Sequence, residues 1–459
     1  MRYMRVNTCS GDIRLTGSSE RLRDYNLASR VAAGKKACCE KKRQDGCSVS
    51  FYLATILIVT LFFSGAMVNY LPWLNTVLLI AGEVIALLVF SQVDARDKTL
   101  APRRAYVWWI VAYSIYIVAV LLSFFSGASY LSQYNTTMVS YLFAPLAFYA
   151  VSIALSNDEK QLLKRILIGL SAFAAVFGFV QVFFRSYLPT SALLVNGTTI
   201  VNELMLAGDS SYVRANGLIG NAIEFADLTA MFCLVCLSSK TFKSQKANIA
   251  LCALFLVANT LSSSRATIVL IVVFVFVKLL LNARIRAFSK VALMVALIMG
   301  VCIYLYAASD SLLVQRLLGL DETASASSAQ HSDDIARILG VISQNLLFGT
   351  GVCSQYASSN PIITDGWFFQ LTAELGVFGL VAYYLLVFAT YRLVKTPLGH
   401  AGLMQNPVTL VVLLFVICSF FNSGFIGRVP YFAFFIYLAC ETVGGRCYSR
   451  KNGEERGRA

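Results

Sequence analysis

The sequence has little charge for its length. Only 14% of its 459 residues are charged, whereas about 25% is usual in soluble globular domains. Histidine is also scarce, with two residues in the whole chain. The low charge excludes an ordinary soluble domain. We find no phosphate-binding glycine-rich loop, and no cluster of His, Cys and Asp in the loops that would bind a metal.

Apolar residues make up 58% of the chain, and they fall in recurring runs. A helix needs about 20 apolar residues to cross the hydrocarbon core of a bilayer. The pattern therefore predicts an all-α, polytopic integral membrane protein with about 12 transmembrane helices. The first run begins near residue 50, so no cleavable signal peptide is expected. The predicted spans are residues 50–71, 73–93, 105–125, 137–156, 162–184, 222–239, 247–262, 266–283, 289–308, 368–391, 407–424 and 429–443.

The net charge of +14 is a topology signal. If both termini are cytoplasmic, 32 of the 38 Lys and Arg residues lie on the cytoplasmic side of the twelve spans, as the positive-inside rule requires. The same distribution argues against nucleic-acid binding. We expect residues 1–49 to form a basic, disordered cytoplasmic tail attracted to anionic lipids, residues 50–443 the transmembrane domain, and residues 444–459 a second cytoplasmic tail.

Two long loops are predicted on the outer side, at residues 185–221 and 309–367, and the second is the large late loop of the fold. Long loops on one side of a helical bundle are where a binding site is usually built. The Ser- and Ala-rich stretch 321–330 is predicted to be the mobile part of the second loop.

The six basic residues left on the outer side are all arginines. A guanidinium binds phosphate or carboxylate with two parallel hydrogen bonds, whereas lysine offers a point charge. This bias predicts an anionic, phosphate-bearing ligand at the outer membrane surface. Arg185, Arg316 and Arg428 also fit a simple surface role, and the stronger candidates are Arg214, Arg265 and Arg337.

Four short motifs occur in order around these arginines. They are R-A-N-G-L-I-G-N at 214–221, T-L-S-S-S-R-A at 260–266, R-I-L-G-V-I-S-Q-N-L-L-F-G-T-G at 337–351, and T-D-G-W-F-F-Q-L-T-A-E-L-G-V-F-G-L at 364–380. Together they resemble the motifs of the O-antigen ligase and polymerase superfamily of bacterial envelopes, over about residues 210–385. The chain departs from the ligase pattern where Asp365-Gly366 replaces the usual His. That departure favours a repeat-unit polymerase over a ligase.

The resemblance implies a glycosyltransferase of the bacterial inner membrane that needs no cofactor and no metal. Its donor would be a glycan carried on undecaprenyl diphosphate, polymerised on the periplasmic face as O-antigen or another surface polysaccharide. Membrane lipids, a chain-length regulator and a flippase would be its partners. The alternatives are a ligase that transfers the glycan to lipid A core, and a transporter, or flippase, for a lipid-linked sugar.

The expected site follows from the chemistry of the departing diphosphate, which needs fixed positive charge. We assign that role to Arg265 and Arg337, and assign the general base that activates the acceptor hydroxyl to Asp365. His331 is the rival base. The residues expected to bind substrate are Arg214, Asn221, Asp227, His331 and Glu374.

Overall fold

The computed structural model describes the helical parts of the chain and a few short stretches between them. The continuous described ranges are residues 48–70, 104–126, 139–184, 214–219, 221–238, 244–281, 322–352, 366–394, 406–421 and 428–442. The basic segment 1–47, the predicted spans 73–93 and most of 289–308, and Asp365 lie outside them.

The described part of the chain is almost entirely helical, which confirms the predicted all-α class. The only sheet within it is a hairpin of two-residue strands, β1 (Leu194–Val195) and β2 (Thr198–Thr199). A π-helical turn, Val139–Phe143, leads directly into the helix that begins at Ala144. The helices are α1 (Val49–Tyr70), α2 (Arg104–Ser126), α3 (Ala144–Ala154), α4 (Asn157–Phe183), α5 (Ala222–Ser238), α6 (Gln245–Leu261), α7 (Arg265–Leu281), α8 (Glu322–Gln344), α9 (Trp367–Val394), α10 (Pro407–Phe421) and α11 (Arg428–Cys440).

Ten of the twelve predicted spans coincide with these helices, and the two others are the runs outside the described ranges. Within the described ranges, three helical segments are long and apolar enough to cross a membrane: Tyr106–Phe125, Asn157–Phe183 and Trp367–Val394. The helix α8 was not predicted. It includes residues 322–330, which we expected to be the mobile part of a loop.

Local sequence signals set several helix starts. Ser156 and Glu159 form a reciprocal capping box at the start of α4, which satisfies two backbone N–H groups that the helix leaves without a partner. The side-chain oxygen of Asn406 accepts a hydrogen bond from the Val408 N–H at 3.0 Å, and Pro407 occupies the first position of α10, where proline is favoured.

The exposed face of α2 is largely apolar. On α2 the exposed side chains recur every three or four residues, while Trp109, Tyr116 and Val120 on the opposite face are buried. A water-soluble protein rarely exposes such a continuous apolar stripe, so this pattern indicates a surface that faces lipid. The exposed stripe comprises Trp108, Val111, Val118, Leu122 and Phe125.

The helix α9 is broken at Gly376, whose φ of 69° and ψ of −177° are not helical. Residues 371–376 before and at the break are buried in protein, whereas Val381 and Phe388 after it are exposed. Irregular backbone at membrane depth is stable only where other protein groups satisfy it. The groups that form hydrogen bonds with the backbone at this break come from the turn after α8.

Candidate functional site

The first two motifs contact each other. The Arg214 Nε donates a hydrogen bond of 2.8 Å to the Ser262 carbonyl oxygen, and the Ala215 N–H donates to the Leu261 carbonyl oxygen at 3.0 Å. Ser262 begins the turn between α6 and α7, and Arg265 is the first residue of α7. The structure therefore places Arg214 against the turn that carries Arg265.

The segment that carries Arg214 is held from its other side by α4. The Gln181 side chain donates to the Asn216 side-chain oxygen at 2.7 Å and to the Gly217 carbonyl oxygen at 3.0 Å. It also accepts a hydrogen bond from the Asn216 N–H at 3.2 Å. Gln181 and Asn216 are both buried. These three bonds fix the backbone that presents Arg214.

The turn between α6 and α7 is itself tightly specified. Ser263 has a φ of 58°, an unfavourable left-handed conformation for a residue other than glycine. The Asn259 side chain lies beneath this turn. It donates to the Ala226 carbonyl oxygen at 2.7 Å and accepts from the Thr267 hydroxyl at 3.2 Å. Asn259 thus ties α5, α6 and α7 together below Arg265.

The last two motifs also contact each other. The turn after α8 pairs with both sides of the break in α9. The N–H groups of Thr350 and Gly351 donate to the carbonyl oxygens of Ala373 and Glu374, at 2.9 and 3.1 Å. In the opposite direction, the Val377 N–H donates to the Leu346 carbonyl oxygen at 2.8 Å. Groups of the protein therefore satisfy the backbone N–H and carbonyl groups that the break leaves without a partner in the helix.

Two glycines make this pairing possible. Gly349 has a φ of 70° and Gly376 a φ of 69°, where glycine has no steric penalty. A Cβ built on Gly349 would lie 2.6 Å from the Gly376 nitrogen, and one built on Gly376 would lie 2.5 Å from the Phe348 nitrogen. The two backbones approach too closely for any other residue at these positions.

Glu374 lies at the break and is fully buried. Its carboxylate accepts hydrogen bonds from the Tyr141 hydroxyl at 2.8 Å and from the Gln370 side chain at 3.1 Å. Its carbonyl oxygen accepts a further bond from the Ser123 hydroxyl at 2.6 Å. These contacts join α9 to α2 and to the π-helical turn. Glu374, which was predicted to bind substrate, is thus hydrogen-bonded to other residues of the bundle.

Arg265 and Arg337 differ from Glu374 in having no such contacts. Arg265 is half-buried and Arg337, on α8, is exposed. Neither guanidinium makes a hydrogen bond or an ion pair with any described residue. Two of the predicted cations are therefore not neutralised by the described part of the protein.

The remaining predicted site residues have different surroundings. Asn221 caps α5, because its side-chain oxygen accepts a hydrogen bond from the Ile223 N–H at 2.8 Å. Asp227 is fully buried, and its carboxylate lies against the thiol of Cys418 on α10. The backbone of His331 belongs to α8, but its side chain and the whole of Asp365 lie outside the described residues. The described residues therefore do not place either candidate base relative to the arginines.

Sequence reasoning missed the polar residues that support the motifs, namely Gln181, Asn259 and Tyr141. Each side chain is buried and carries a polar group, and a buried polar group needs a hydrogen-bond partner. That requirement is the signal that could have found them. Among the described residues, no group of three His, Cys, Asp or Glu side chains could hold a metal ion.

Comparison with known proteins does not assign the chain to a family. No family model matches the chain, and no curated protein is significantly similar to it.

Proposed function

We propose that the protein is a polytopic glycosyltransferase of the bacterial inner membrane. It polymerises oligosaccharide repeat units carried on undecaprenyl diphosphate, at the periplasmic face, and both of its termini are cytoplasmic. The resemblance of the four motifs supports the reaction class, and three membrane-capable helices support the location.

One observation carries the proposal. Arg214 is bonded to the turn that begins α7, and Arg265 extends from that turn without an acidic partner among the described residues. The N-terminus of a helix adds partial positive charge from its unpaired N–H groups. Guanidinium groups gathered at such a terminus form a binding place for a phosphate-bearing ligand.

The pairing of the other two motifs supports the same proposal. The turn at 346–351 is anchored to α9 through the hydrogen bonds around Gly376. Since this turn directly follows α8, the anchor fixes the end of the helix that carries Arg337. The backbone that carries Arg337 is thus held in place, and a cation near the departing group stabilises its developing charge.

In the proposed reaction, a hydroxyl of the acceptor sugar attacks the anomeric carbon of the donor. A bond forms between that oxygen and the anomeric carbon, the bond from the carbon to the diphosphate breaks, and the hydroxyl proton passes to a base. Asp365 is our candidate base and His331 its rival. Arg265 and Arg337 stabilise the negative charge on the departing diphosphate, each by about 3 kcal/mol.

The test is sugar transfer by purified protein in proteoliposomes that contain the lipid-linked repeat unit. Arg265→Ala is expected to lower the rate by about 10²-fold, the usual cost of losing one preorganised donor. Arg265→Lys should restore part of the rate, because lysine keeps the charge but not the paired donors. Arg165, an exposed cation on α4, provides the matched control, and Arg165→Ala should transfer at the wild-type rate. A wild-type rate for Arg265→Ala would refute the proposal.

A carrier for lipid-linked sugars is the second candidate function. It is favoured by the complete burial of Asp227 and Glu374 within apolar helices, since acids inside membrane helices often mark a transport pathway. The two functions differ in product. A carrier would move a labelled lipid-linked sugar across vesicles without forming a glycosidic bond, and that movement would be lost in Glu374→Gln but not in Arg265→Ala.

A further inference from the structure

Two cysteine thiols lie in contact between α5 and α6. The Cys233 sulfur is 3.6 Å from the Cys252 sulfur, and it lies 3.7 Å from the Cys252 carbonyl oxygen. Both thiols are free; Cys233 is buried and Cys252 is half-buried. One member of the pair can therefore be reached by a small molecule, and its partner lies directly behind it.

This contact belongs to a fixed register between the two helices. Asn259 donates a hydrogen bond of 2.7 Å to the carbonyl oxygen of Ala226. Cys233 follows Ala226 by seven residues, and Cys252 precedes Asn259 by seven residues, so both pairs lie on the same seam about two turns apart in antiparallel helices. The buried asparagine thus holds the two thiols opposite each other.

A lysine ammonium lies at the end of α5, the helix that carries Cys233. Lys278 on α7 donates to the Leu237 carbonyl oxygen at 2.6 Å and to the Ser238 hydroxyl at 3.1 Å. These bonds hold it at the end of α5, close enough to Cys252 for an electrostatic interaction with the thiol. The thiolate is the form of cysteine that reacts with oxidants.

We propose that Cys233 and Cys252 form a reversible redox site, in which a peroxide oxidises the two thiols to a disulfide that joins α5 to α6. The Cys252 thiolate attacks one peroxide oxygen, the O–O bond breaks, and a sulfenic acid and hydroxide form; the hydroxide takes up the proton that the Cys252 thiol released and becomes the first water. The Cys233 sulfur then attacks the sulfenic sulfur, and its proton leaves with the hydroxide as a second water. Two thiols and one hydrogen peroxide thus give one disulfide and two waters.

The closure needs only a small movement. A disulfide has a sulfur–sulfur distance of about 2.0 Å, so the two atoms must approach from the observed 3.6 Å, and side-chain rotation contributes to that approach. The bond would lock the seam below the turn at Ser262 and Arg265, because α6 ends at that turn. The inference does not depend on the proposed sugar transfer.

The test uses the full-length protein in lipid nanodiscs, treated with hydrogen peroxide and then unfolded and alkylated. Wild-type protein is expected to lose two alkylatable thiols, to yield one linked peptide pair containing Cys233 and Cys252, and to recover both thiols after dithiothreitol. Cys252→Ser should lose this link. Cys236, a buried thiol one turn from Cys233, provides the matched control, and Cys236→Ser should still form the link.

Two results would overturn the inference. One is that both thiols stay alkylatable at peroxide concentrations that oxidise a free surface cysteine, which would mean that the contact is apolar packing only. The other is a link from either thiol to Cys236 instead. Oxidised wild-type protein should also unfold at a higher temperature than reduced protein, with no such difference in Cys252→Ser. Equal unfolding temperatures for the two wild-type forms would refute the locking of the seam.

Discussion

Replacing Gly376 by alanine tests the pairing at the break of α9. The φ and ψ of Gly376 lie in a region that is essentially restricted to glycine, and another residue there costs about 1–3 kcal/mol in backbone strain. The added Cβ would also lie 2.5 Å from the Phe348 nitrogen. The turn after α8 must therefore move away from the helix.

That movement breaks hydrogen bonds on the same side of the pairing. The bonds at risk are those from Val377 N–H to Leu346, at 2.8 Å, and from Phe378 N–H to Leu347, at 3.2 Å. Each contributes about 1 kcal/mol net. Adding the strain, we expect Gly376→Ala to lower the free energy of unfolding by about 3–5 kcal/mol.

The assay is equilibrium unfolding of the purified protein in mixed micelles. Gly340 supplies a matched control, because it lies within α8, has no positive φ, and a Cβ there would meet nothing within 4 Å. Gly340→Ala should be neutral or should stabilise by up to about 1 kcal/mol through helix propensity. If Gly376→Ala is as stable as Gly340→Ala, the pairing of the turn with the broken helix is not present in solution.

Three further substitutions test the supporting contacts by the same unfolding assay. Lys160→Ala should cost about 2–4 kcal/mol, since its buried ammonium donates to the Ser152 carbonyl oxygen within α3 and to the Thr442 hydroxyl after α11. Exposed Arg165→Ala should cost under about 0.5 kcal/mol, and equal losses would contradict the assignment. Asn259→Ala should cost about 2 kcal/mol or more, because it removes the hydrogen bonds to the Ala226 carbonyl oxygen and from the Thr267 hydroxyl. Thr260→Ala, at the neighbouring position, should change the stability little. Asn221→Ala should lower the free energy of unfolding by about 1 kcal/mol because the cap of α5 is lost, whereas Asn221→Asp should change it very little because aspartate caps equally well. Equal losses in the two variants would contradict the capping role.

The apolar helices could be predicted from the sequence, because a long apolar run marks each of them. Each run near 20 apolar residues either coincides with a described helix or falls outside the described ranges. The helix α8 was missed because its composition is polar. Residues 322–330 hold three alanines and three serines, a composition that favoured a loop, although alanine is the strongest helix former.

The break at Gly376 could not be predicted from the same apolar run. Hydropathy is continuous across residues 368–391, and nothing local distinguishes Gly376 from the neighbouring Gly379. The break follows from the close approach of Gly349, which is 27 residues earlier in the chain. A long-range contact of this kind leaves no periodic signal.

The contacts around the candidate site could not be predicted from the sequence. The motifs could be found in the sequence, but the sequence did not say which of them touch, or that Asn221 caps a helix and Glu374 bonds to Tyr141. The thiol pair was missed because Cys233 and Cys252 meet only when the register of α5 and α6 is known. That register depends on Asn259.

The central claim is that the protein joins repeat units, and a deletion of its gene in the native host tests it most directly. Surface glycolipids of the deletion strain would be separated on a gel. We predict that the core still carries one repeat unit and that the ladder of longer chains is lost, with recovery by the wild-type gene but not by Arg265→Ala. An unchanged ladder would contradict the account, and loss of even the single repeat with long chains on the lipid carrier would identify a ligase instead.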